Sequence, residues 1–220
     1  MIEFVTELKS RNEAMFWFGS ISLIAGLVFL LLSRFSDITL DDVNVWYKPF
    51  KFAASIGIYC WTMGWYCSYL TSFNHTLFNY TIIILLGLEL LYIALQAGRG
   101  QRSHFNISSP LYSALYGLMA IAASGVAVYT AYVGTQFFGN NVVYLPPHYL
   151  TALRWGIILF VIFSFQGFAM GSRLSHTVGG ADGNHGIPIL NWSRKFGDLR
   201  IAHFLGMHAL QIMPLAACYL

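Results

Sequence analysis

Six runs of mostly apolar residues divide this chain: Met15 to Ser33, Ala53 to Leu70, Leu77 to Ala97, Leu111 to Val133, Tyr149 to Met170 and Ile201 to Leu220. A helix needs roughly 20 such residues to cross the hydrocarbon core of a bilayer. Each run meets that length, so the pattern predicts an all-α, polytopic membrane bundle of six transmembrane helices.

Composition agrees with the pattern. The chain is 57% hydrophobic and only 10% charged, with a mean hydropathy of +0.60, whereas soluble domains carry about 25% charge. Aromatic residues make up 17%, and Trp and Tyr near the block ends suit the two membrane interfaces. A net charge of +3 argues against nucleic acid as a partner and leaves membrane lipids, a lipophilic small molecule and a homo-oligomer open. Cys60 and Cys67 fall seven residues apart inside one apolar block, which predicts packing residues rather than a disulfide.

Two domains of unequal size are expected. In residues 1–14, Ile2, Val5 and Leu8 recur at helical spacing among charged residues, the pattern of an interfacial amphipathic helix. Residues 15–220 form one transmembrane domain with a long loop at 173–200. The first block is too long for a cleaved leader, and Ser33-Arg34-Phe35 offers no small-residue cleavage site. The fourth block carries Gly117, Ala120, Ala123, Ser124 and Ala127. Small residues let backbones approach, which predicts a central position for that helix.

Basic residues collect in the first, third and fifth loops: Arg34, Lys48, Lys51, Arg99, Arg102, Arg173, Arg194, Lys195 and Arg200. Cytoplasmic loops carry such an excess, so these loops are expected inside and both termini outside. A seventh helix on a longer parent chain is compatible with this topology.

Ionisable groups within spans are costly and usually face the bundle interior. At about 1.5 Å per residue, Glu89 lies roughly 13 Å from the inner end of its helix and His208 roughly 12 Å from Arg200. That common depth predicts a catalytic or proton-handling pair. Gln166 and Gln211 join the layer, with Gln96 and His203 below, and Arg99 and Arg200 complete a candidate substrate-binding set. Pro214 leaves the carbonyl of Leu210 without a helical donor. Arg154, one turn from the outer end of its block, is placed to snorkel.

Four of the seven histidines, His176, His185, His203 and His208, lie between Arg173 and Gln211. With His104, Asp182 and Asp198 they offer metal-ligating groups on one face, although no diagnostic spacing such as HExxH is present. The candidate metal set is His104, His176, His203 and Asp182. Haem between helices needs a ligand on each of two facing elements, which makes His104 and His203 the cofactor candidates. Gly179 to Gly183 could also form an anion-binding turn near Arg173, Arg194, Lys195 and Arg200.

The segments QAGRGQRSHFN and VGGADGNHGIPILNWSRKFGDLRIAHFLGMHALQ, with WYKPFKFAAS ahead of the second helix, resemble blocks that recur in a family of bacterial multi-pass membrane proteins of unassigned activity. The resemblance covers roughly a third of the chain and carries over no catalytic role. It implies a bacterial inner-membrane location and that the three loop-face blocks act as one unit.

Three functions are expected in order: metal- or haem-assisted conversion of a lipophilic substrate such as a lipid or quinone; a proton-coupled transporter or channel; and a membrane sensor or assembly subunit. A transport path requires polar groups to continue toward the outer face, where Arg154, Asn79, Thr81 and Thr130 are the main sequence candidates.

Overall fold

The computed structural model describes residues 2–182 and 186–219. Helix α1 (Ile2–Arg11) leads into α2 (Glu13–Phe35), followed by a hairpin of β1 (Thr39–Leu40) and β2 (Val43–Asn44). Then come α3 (Tyr47–Cys67), α4 (His75–Gly98), α5 (Pro110–Gln136), α6 (Pro147–Phe165) and α7 (Gly167–Arg173). A second hairpin of β3 (Thr177–Val178) and β4 (Gly197–Asp198) precedes α8 (Leu199–Ala217). The chain is all-α.

Local chemistry sets the helix starts. Asn12, Asn74, Ser109 and Asp198 each accept a hydrogen bond from a first-turn amide, those of Met15, Leu77, Tyr112 and Arg200, which satisfies a donor the helix cannot. Pro110 follows the Ser109 cap, where its missing N–H costs nothing.

Each apolar block falls in one helical stretch, the fifth running through both α6 and α7. Four stretches are long and apolar enough to cross a membrane: α2, α4, α5 and the continuous α6–α7 run of residues 147–173. The remaining two, α3 and α8, are the helices that carry polar side chains along their length.

The bundle is organised around α3, not around the fourth block. Ten of the 21 residues of α3 are buried, against six of the 27 in α5. The small residues that bring backbones together are Gly19 and Gly57. A Cβ on Gly57 would sit 2.9 Å from the carbonyl of Gly19 and 2.5 Å from Leu23. Gly156 similarly packs α6 on α8, with a Cβ there 3.0 Å from the carbonyl of Ala209. By contrast, Gly117 on α5 has open space around it, so its block's small residues do not serve a close crossing there.

Helix α3 lies beside α2 and α4, α5 lies between α4 and α6, and α8 packs on α6. Side chains of α3 reach the rest: Tyr59 bonds Thr130 of α5 at 2.7 Å and stacks on Phe160 of α6. Cys60 and Cys67 are fully buried in this core with Met63, Phe78, Ile82 and Leu153, as packing residues. At the end opposite the basic loops, the amphipathic α1 docks through Leu8, through a Phe4–Trp65 stack, and through Arg11, which bonds Ser68 and covers the Trp65 ring.

Candidate functional site

The three basic loops meet at one end of the bundle. Arg102 pairs with Asp41 across the third and first loops at 2.5 Å, Phe105 packs on His176 of the fifth loop, and Lys51 donates to the carbonyl of Leu190 at 3.2 Å. Arg200 holds Asp198 in a two-pronged ion pair and also donates to the carbonyl of Asn191. Three segments far apart in sequence thus form one polar assembly.

Glu89 is 7% exposed, and the charge that acts on it is that of Lys48 at the start of α3, on which the charges of Lys51, Arg102 and Arg200 act in turn. No hydrogen bond or ion pair joins Glu89 to His208. Depth alone suggested that pairing, but α3 stands between α4 and α8. Gln96 braces the third loop, donating to Tyr92 and to the carbonyl of Arg102, while Arg99 reaches Tyr112 at the surface. Gln166 donates to the carbonyl of Leu199 at 3.4 Å, and its own buried side-chain oxygen has no partner. It therefore sits level with the first turn of α8, below His208.

His104 of the third loop and His176 of the fifth are held neutral. His104 lies against Phe52 and Tyr116 with Ser103 beside its Nδ1. Burial, and then the charge of Lys48, keeps it well below the usual histidine value. Burial and the charge of Arg200 push His176 down to about 4. Burial opposes the Asp182 charge, but hydrogen bonds from Thr177 and from the His176 amide outweigh it and hold that carboxyl below the usual range. Asp182 ties the loop by accepting from the His176 and Thr177 amides at 3.0 and 2.8 Å.

The expected metal centre does not assemble. Among the described residues no three His, Cys, Asp or Glu side chains converge to hold an ion. His176 meets Asp182 at 3.3 Å, but His104 is turned into an aromatic pocket and His203 Nδ1 is engaged by the carbonyl of Phe163 at 2.6 Å. His185 and Gly183 lie outside the described residues. Of the expected anion-binding turn, Gly179 has the left-handed φ of 91°, while Arg173, Arg194 and Lys195 are exposed.

His208 belongs to a different constellation, a ladder between α3 and α8. Its Nε2 faces Ser55 Oγ at 3.4 Å and its Nδ1 faces Gln211 Oε1 at 3.3 Å. Gln211 then donates to Thr62 Oγ1 at 3.1 Å. One turn further, Tyr66 donates to the carbonyl of Leu210 at 2.8 Å, the group Pro214 leaves without a donor. Lys48, Lys51, Ser55, Tyr59, Thr62 and Tyr66 lie within an arc of about 80° on α3 and span about 27 Å of its length.

Ser55, Thr62, Tyr59, Tyr66, Lys48 and Lys51 were not among the sequence candidates. Their signal was a polar stripe at i, i+3, i+7, i+11, i+14 and i+18, which begins just ahead of the second apolar block and runs through it. Arg154 turns out to cap α5, donating twice to the carbonyl of Phe137 at 3.0 and 2.7 Å, where a cation suits the helix C-terminus. No family profile matches the chain, and comparison with curated proteins and with solved structures returns no match.

Proposed function

We propose that this is a multi-pass protein of the bacterial inner membrane, with six spans and both termini outside. Its polar site binds the head of a lipophilic substrate from the bilayer and exchanges protons between that head and the cytoplasmic side. The observation that carries this reading is the Ser55–His208–Gln211–Thr62 ladder. It is part-exposed along the bundle flank, midway between the loop assembly and Tyr66, in a region where uncompensated polar groups are expensive.

His208 is the proton-handling group in this reading, because imidazole donates at one nitrogen while accepting at the other. Lys48 stands toward the cytoplasmic mouth as the charge that acts on buried Glu89, and neutral His104 and His176 line that mouth. Gln211 and Ser55 orient the His208 ring. The chemistry needs no metal-ligand set, in keeping with the separation of His104, His176, His203 and Asp182.

Proteoliposomes containing native lipid extract test this directly. Proton uptake after a pH step should fall about tenfold in His208→Ala and in Glu89→Gln, with Leu88→Ala on the exposed face of α4 unchanged. Uptake equal in all four proteins would overturn the reading. A second reading, a proton-coupled transporter, draws on the Tyr59–Thr130 bond and on Tyr66, which extend polar groups toward the outer end. It predicts that Tyr59→Phe slows net flux across the membrane without changing uptake at the cytoplasmic mouth.

A further inference from the structure

The ladder's hydrogen bonds are long, at 3.1 to 3.4 Å, and its donor capacity is not used up. The acceptor Gln211 Oε1 places the His208 proton on Nδ1, and Nε2 then accepts from the Ser55 hydroxyl. Gln211 spends one amide hydrogen on Thr62 and retains a second. The helices are held to other neighbours, α3 to α2 and α8 to α6, so that side chains rather than backbones span the seam between them.

What flanks the seam is apolar and open. Phe204, one turn below His208 on α8, packs its ring 4.3 Å from the imidazole and is 39% exposed; Trp192 closes on the other edge of Phe204 at 5.5 Å. Ile58 and Ile212 are exposed beside the ladder. A planar group arriving from lipid would meet an aromatic and imidazole surface with hydrogen-bonding groups along one edge.

The absence of charge along the seam itself selects the ligand. Ser55, Thr62, His208 and Gln211 offer neutral donors and acceptors, whereas Lys48, Lys51 and Arg200 lie below. His208 and Gln211 stand about 12 and 16 Å along α8 from Arg200, near the middle of a hydrocarbon core about 30 Å thick. A phospholipid head stays at the interface, and an anion would be held at the cationic mouth. A neutral ring bearing oxygens fits this depth.

We propose that the α3/α8 seam at His208 and Gln211 is a lateral, lipid-facing site for the ring of a quinone or quinol. The ring lies against Phe204, and its oxygens accept the free Gln211 amide hydrogen and, in place of the 3.3 Å contact to Gln211 Oε1, the His208 Nδ1–H. The proposal rests on the lipophilic-substrate reading above and names the class of substrate.

Decylubiquinone titrated into phosphatidylcholine nanodiscs holding the protein tests it. Wild type and Leu88→Ala should bind saturably, with affinity at least about tenfold weaker in Gln211→Leu and in Phe204→Ala. Nitrogen-15 histidine spectra of wild type should show the His208 signal shifting as the site fills, a readout that survives if a variant misfolds. Non-saturable partitioning that is alike in all proteins, or an unmoved His208 signal, overturns the proposal. If proton uptake still depends on His208 while decylubiquinone fails to bind, the quinone assignment falls and the broader function stands.

Discussion

Tyr66 on α3 donates its hydroxyl to the carbonyl of Leu210 on α8 at 2.8 Å, and Pro214, four residues on, is the reason that carbonyl is free. Both side chains are buried, Tyr66 at 4% and Leu210 at 0% exposure. Tyr66→Phe leaves a buried acceptor unpaired and should cost about 1–3 kcal/mol, measured by denaturant unfolding in detergent. With Pro214→Ala in place the helix supplies its own donor, so the same substitution should cost clearly less. Equal costs in the two backgrounds would separate the tyrosine from the proline.

The glycine contacts make opposite predictions for two helices. Gly57→Ala places a methyl 2.9 Å from the carbonyl of Gly19 and 2.5 Å from Leu23, and should destabilise by about 1–3 kcal/mol. Gly117→Ala meets nothing within 4 Å and should stabilise α5 by up to about 1 kcal/mol through helix propensity. Thermal melts of the two variants decide this. A fourth block at the bundle centre would reverse their order.

Acid should loosen the fifth loop. The His176 value is depressed in the fold to about 4 from an ordinary 6.5, so the unfolded loop takes up the proton first. Stability is then full above pH 6.5 and declines as pH falls toward 4. Protection factors for hydrogen exchange at the Thr177 and Val178 amides, corrected for the intrinsic rate at each pH, should fall over that window, and His176→Gln should flatten the change. The Asp182 contribution is lost only at still lower pH, because its carboxyl is held below the usual range.

The helices were legible in the sequence because an apolar run is a one-dimensional signal, and so was the meeting of the three basic loops. What failed was azimuth. Glu89 and His208 were matched by depth, a quantity residue counting supplies, while the direction each faces depends on which helix lies between. The Ser55–Thr62 edge of the ladder was missed for another reason: Ser, Thr and Tyr carry no charge, so a reading built on ionisable groups inside the spans passed over them. Its helical periodicity was present all the same. Likewise the metal set was a count of ligand types on one face, and counting cannot show that His203 is spent on the Phe163 carbonyl.

The central claim is that the seam at His208 holds the head of a lipophilic molecule. Its most direct measurement is mass spectrometry of the organic extract from protein purified in native-membrane nanodiscs. Wild type should retain one lipophilic species near stoichiometric amount, and Gln211→Leu should lose most of it while keeping its fold. Identical lipid profiles for the two proteins, with no enriched species in either, would contradict the account.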